Sequence, residues 1–107
     1  MQDEPADHDT NLFRHEPDAT PYGMGAAIFA EGDDGEHAFV VQSGEVELAI
    51  NGHLVEVVGE GGIFGEMALV ERKPRSATAT ARTDVKLVEI DQQRVLDIIS
   101  NSPFFAI

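Results

Sequence analysis

Glu45-Val46-Glu47-Leu48-Ala49-Ile50-Asn51-Gly52-His53-Leu54-Val55-Glu56-Val57-Val58 is the stretch on which the fold turns. Residues 45–50 carry the period-two alternation of a half-buried strand. Asn51-Gly52 follows, a pair that tolerates the positive φ needed at both central residues of a tight hairpin turn. Residues 53–58 then run back alongside. Upstream, Ala26-Ala27-Ile28-Phe29-Ala30 predicts a strand closed by Glu31-Gly32-Asp33-Asp34-Gly35. His37 to Gln42 predicts another, turned by Ser43-Gly44. The result is a β meander of antiparallel strands.

Downstream, Gly59-Glu60-Gly61-Gly62 breaks the meander, and Met67-Ala68-Leu69-Val70 has room for one helical turn before Pro74 ends it. Arg75 to Arg82 is a β-rich alternation of small residues, and Val85 to Ile90 is a further strand. Asp91 suits the N-cap of a helix over 92–100, with Val95, Leu96, Ile98 and Ile99 on its apolar side. About seven short strands at regular turn spacing point to a mainly β protein, a sandwich or a jelly-roll barrel, with a short internal helix and a C-terminal helix.

The chain of 107 residues has room for one domain. Residues 1–17 form a polar, acidic leader, expected to stay solvated and frayed, and 18–107 the folded unit. A docking arm using Leu12 and Phe13 is the less favoured reading of that leader. Seven Lys and Arg against twenty Asp and Glu give a net charge of −13. That balance disfavours nonspecific nucleic-acid binding and adhesion to anionic membranes. With no cysteine there is neither a disulfide framework nor a thiolate metal site. No signal peptide and no membrane-spanning run is apparent, so a cytoplasmic location is the default expectation.

Enzyme motifs fail in turn. His8, His15, His37 and His53 are scattered, without the paired spacing that holds a metal, so no metal site is expected. No Gly-x-Ser-x-Gly elbow is present, and the glycines from Gly59 to Gly65 lack the Gly-Lys-Ser/Thr of a P-loop. What remains runs from Gly62 to Thr78. A glycine loop feeding a helical turn gathers backbone N–H groups at a partly positive end. Arg75 adds a guanidinium fork that matches phosphate oxygens, and Glu66 a carboxylate that accepts from hydroxyls. An anion clamp beside a hydroxyl acceptor fits a sugar phosphate.

The run Phe64-Gly65-Glu66-Met67-Ala68-Leu69, a short spacer, then Pro74-Arg75-Ser76-Ala77-Thr78 resembles the phosphate-binding cassette of the cyclic nucleotide-binding domain family. Ile28 to Asp33 and Val41 to Val46 resemble that family's early strands and turns. The resemblance implies a β jelly roll (a double-stranded β-helix) flanked by helices, and a regulatory sensor that binds cyclic AMP or cyclic GMP without chemistry or cofactor. It implies that Glu66 accepts the ribose 2′-hydroxyl while Gly65 allows close approach. Arg75 would pair with the exocyclic phosphate oxygens, joined by N–H groups of Met67, Ala68, Ser76 and Ala77. Leu48 and Ile63 become apolar neighbours of the purine.

Two departures from the family pattern stand out. The leader supplies no apolar N-terminal helix, and Ser102 to Ile107 falls where the segment that closes over the purine would begin. A lid from a partner or second subunit, or an exposed base, follows from the resemblance. A homodimer or an effector protein is expected to engage the C-terminal segment. The competing reading is a degenerate, ligand-free module of the same fold that docks a protein through Phe104 and Phe105. A metal-dependent barrel enzyme and a DNA-binding unit are both disfavoured.

Overall fold

The structure, a computed structural model, describes residues 16–101. These form strands β1 (Thr20–Tyr22), β2 (Ala27–Phe29), β3 (Ala38–Ser43), β4 (Val46–Ile50), β5 (His53–Val58) and β6 (Ile63–Phe64). Helix α1 (Glu66–Glu71), strands β7 (Thr78–Ala81) and β8 (Val85–Ile90), and helix α2 (Gln92–Asn101) follow.

The central hairpin closes as its turn chemistry dictates. Asn51 and Gly52 both take positive φ, 52° and 82°, and Ile50 pairs with His53 across the turn. One feature is not readable from the alternation. Leu48 faces Glu56 while Ala49 faces Leu54, so Val55 is an extra residue, a β-bulge that resets which side chains share a face.

Two antiparallel four-stranded sheets result, in the orders β1-β8-β3-β6 and β2-β7-β4-β5. This is the mainly β jelly-roll arrangement expected, with α1 between β6 and β7 and α2 after β8. Two strands go beyond the sequence reading. β1 exists because Thr20, Pro21 and Tyr22 pair with Val85 to Leu87, and β6 because Ile63 and Phe64 pair with Val40 and Phe39. Both are short edges made by long-range pairing, and their local sequence carries no alternation.

The sheets bury one apolar cluster between them, including Phe39, Val41, Val46, Phe64, Ala79 and Leu87. Fully burying a side chain such as Leu87 is worth about 1.5–3 kcal/mol. Phe29, Phe39 and Phe64 meet as a trio, with Phe39 and Phe64 stacked at 5.3 Å between ring centroids. A second cluster lies under α2, where Val95 and Ile98 pack on Val40, Leu69, Val88 and Ile90. The Arg94 N–H donates to Asp91 Oδ1 at 2.9 Å, the N-cap contact expected of Asp91. Leu96 departs from the helical reading. It is 41% exposed, because the seam of α2 toward the sheet is filled by Val95 and Ile98.

The end of the leader is tied down where Gln42 Nε2 donates to the Glu16 carbonyl at 2.9 Å. Residues 1–15, the side chain of Ile99, and Phe104 and Phe105 lie outside the described residues. No helix among the described residues is long and apolar enough to cross a membrane.

Candidate functional site

β6 delivers the chain to Gly65, whose φ of 80° turns it sharply into α1. No side chain caps that helix, so the first N–H groups of α1 have neither an intrahelical partner nor a side-chain acceptor from the cap position. Glu66 occupies the first turn. Burial lifts its carboxyl above the ordinary glutamate range. Its own backbone N–H opposes that rise, and the charge of Glu56 adds to it.

Arg75 lies in the loop between α1 and β7, three residues before the strand in which the sequence pattern set it. Pro74 and the ties of Arg75 to another turn explain the difference. Its N–H donates to the Asp33 carbonyl at 2.8 Å, and its own carbonyl accepts from Gly32 N–H at 2.9 Å. A backbone held to the 32–33 turn is not free to join the β7 ladder at that point.

The Arg75 side chain is buried, only 7% exposed. Nη1 donates to the Gly65 carbonyl at 2.7 Å and Nη2 to the His37 carbonyl at 2.6 Å. Cζ stands 4.1 Å from the centre of the Phe29 ring, a cation–π contact. Nε is buried with no partner. Arg75 enters no ion pair among the described residues. Burial draws its pKa below the ordinary arginine value, with Asp33 acting weakly the other way, and it remains charged at neutral pH.

A cavity of about 280 Å³ opens between these elements, at the lower edge of the ~300–1,000 Å³ usual for small-molecule sites. Gly65, Glu66, Met67 and Ala68 line it from α1, and Arg75, Ser76 and Ala77 from the loop before β7. Leu48 and Ile63 contribute apolar wall. All nine residues singled out in the sequence therefore share one cavity. Phe29, Ile50, Val55, Glu56 and Phe64 line it too, and the sequence assigns them no role there. Ile50 was within reach, since it sits two residues beyond Leu48 on the same strand. Val55 enters through the bulge and Phe29 from another strand, neither of which leaves a local mark, whereas Phe64 opens the cassette itself.

A wider groove of about 540 Å³ lies along β8 and α2, and its charged lining is mostly carboxylate, from Glu16, Asp18, Glu89, Asp91 and Asp97 beside Arg94. That wall repels an anion. The cavity at Arg75 instead sets a buried guanidinium beside Glu56 and Glu66.

The profile of the cyclic nucleotide-binding domain family matches residues 19–102. The chain belongs to that family. The cyclic nucleotide-binding domain described here is similar to part of the EAL enzyme Bd1971 in its cGMP-bound form, at 33% identity and a TM-score of 0.71 over 80% of this chain. It spans 24% of that protein. It is similar to the catabolite activator protein of Thermus thermophilus at 30% identity and a TM-score of 0.72, covering 96% of this chain and 53% of the other. The regulatory domain of Toxoplasma gondii PKA, solved with cAMP, matches at 28% identity and a TM-score of 0.71, covering 92% of this chain and 46% of the other.

Proposed function

We propose that this domain is a sensor that binds cyclic AMP or cyclic GMP noncovalently in the cavity at Arg75. The observation that carries the reading is Arg75 itself, a buried cation with no carboxylate partner beside a cavity. A buried charge without a counter-ion costs several kcal/mol, roughly, unless something neutralises it. A singly charged cyclic phosphate does so, taking the free guanidinium donors together with the N–H groups of Met67, Ala68, Ser76 and Ala77. Glu66 then accepts from the ribose 2′-hydroxyl, with Gly65 leaving room for the sugar. The purine lies toward Leu48, Ile63 and the neighbouring Ile50 and Val55. Relatives solved with cAMP and with cGMP support the ligand class.

The net charge of −13 does not prevent this. Charges beyond about 8 Å are largely screened at physiological salt, whereas the guanidinium acts at contact distance in a partly dry site. Ligand would act as a signal by favouring one position of the segment after α2 over another, where a second subunit or an effector docks.

Titration calorimetry with cyclic AMP and cyclic GMP, on the natural chain and on Arg75→Ala, tests the reading. Saturable binding is expected, weakened in the variant by about 2–5 kcal/mol as for removal of one partner from a buried charge pair. The melting temperature of each protein shows that it is folded. Absence of heat with either nucleotide at millimolar concentration, or equal affinity in the two proteins, would overturn the assignment in favour of a ligand-free docking module.

A further inference from the structure

Gly35 does not line the cavity, and its backbone needs no left-handed conformation. A glycine there is unexplained by turn geometry. Its neighbourhood supplies the reason. A Cβ built on Gly35 would stand 2.5 Å from both Cζ and Nε of Arg75 and 3.0 Å from Nη1, far inside van der Waals contact. Two residues on, the His37 carbonyl receives the Nη2 hydrogen bond. The guanidinium is thus laid against bare backbone at Gly35, with Phe29 4.1 Å from Cζ.

We propose that Gly35 is a positioning residue for Arg75, the absent side chain that lets the guanidinium seat beside Phe29 and face the cavity. The atoms that a Cβ would strike are the far end of a flexible side chain, so an added methyl displaces the guanidinium and leaves the backbone in place. Once displaced, Arg75 loses both carbonyl partners and the Phe29 face, and its free donors no longer meet an anion held at α1. The consequence for affinity rests on the reading of the cavity as a cyclic nucleotide site; the seat itself does not.

Two measurements on the full chain separate these levels. The first, without ligand, is the Arg75 Nε–Hε NMR resonance, assigned by its disappearance in Arg75→Lys. The Phe29 ring current is expected to shift it away from that of a solvent-exposed arginine. Gly35→Ala should return it to the exposed position, while Gly59→Ala, where a Cβ meets nothing within 4 Å, should leave it unchanged. The second is calorimetry with cyclic AMP and cyclic GMP. Gly35→Ala should weaken binding by tenfold or more in the natural background and by less than twofold in the Arg75→Lys background, because both changes act through one group.

A resonance unmoved by Gly35→Ala overturns the proposal, as does an equal loss of affinity in both backgrounds. A Gly35→Ala chain that fails to fold also overturns it, since the glycine would then serve the backbone. If the natural chain binds neither nucleotide, the functional reading falls and the resonance alone decides the seat.

Discussion

The tip of the β4–β5 hairpin and the junction around Arg75 both depend on glycine, for opposite reasons. At the tip, a Cβ on Gly52 would meet nothing within 4 Å, and only the φ of 82° calls for glycine. At the junction, a Cβ on Gly65 would stand 2.7 Å from Arg75 Nη1, and one on Gly35 2.5 Å from Cζ. The first is a rule of local chain geometry, complete within four residues. The second is a rule of tertiary crowding, set by a side chain ten residues away in one case and forty in the other. Local rules leave their mark in sequence, whereas crowding does so only once the crowding partner is known.

The largest effect that probes this contrast strikes the packing under the junction. Phe64 is 2% exposed and joins Phe29 and Phe39 in the aromatic trio. Phe64→Ala should cost about 3–5 kcal/mol of stability in urea denaturation, as large aromatic truncations do. A loss below 1 kcal/mol would mean that the trio does not support the cavity wall.

Gly65→Ala comes next, at about 2–5 kcal/mol, the sum of a left-handed residue carrying a Cβ and overpacking against Nη1. Gly52→Ala should cost only about 1–2 kcal/mol, the conformational part alone. Measured side by side by urea denaturation, the two substitutions isolate crowding from conformation. Equal losses would erase the distinction between tip and junction. Nucleotide affinity sharpens it, because Gly52→Ala should leave affinity unchanged and Gly65→Ala should not.

The weakest effect depends on pH. The Glu66 carboxyl is raised above its ordinary value of 4.5 by burial first. The folded state therefore binds this proton more readily than the unfolded chain does, and ionised Glu66 costs stability at neutral pH. That cost is present above the folded-state pKa and fades as pH falls through it toward 4.5. Glu66→Gln should accordingly raise the melting temperature at pH 7, and the gain should shrink on acidification. A gain that grows as pH falls would reverse the assigned direction.

Legibility in the sequence followed the same division. The β4–β5 hairpin, β3, β8 and α2 fall within a residue or two of their expected places, because alternation, Asn51-Gly52 and the Asp91 cap act over a few positions. β1 and β6 escaped because pairing with β8 and β3 creates them. Leu96 looked like core since helical periodicity does not say how wide the covered face is. At the site, the cassette residues are close in sequence and were found together. Phe29 and Glu56 reach the same cavity from other strands, and only the fold unites them. Even Arg75, named from the start, kept its inward seat against Phe29 hidden until the structure showed what surrounds it.

The bulge at Val55 has a consequence for how this molecule behaves in a crowd of its own copies. Among the described residues, the strands at the margins of the two sheets are β1, β2, β6 and β5. The first three span only three, three and two residues, too short to template another chain. β5, with six residues and exposed Leu54 and Val55, is the one margin long enough to recruit an intruding strand. Its ladder is broken by the extra residue midway, so an incoming chain finds no regular run of donors and acceptors. The kink that brings Val55 to the cavity also guards the sheet against aggregation.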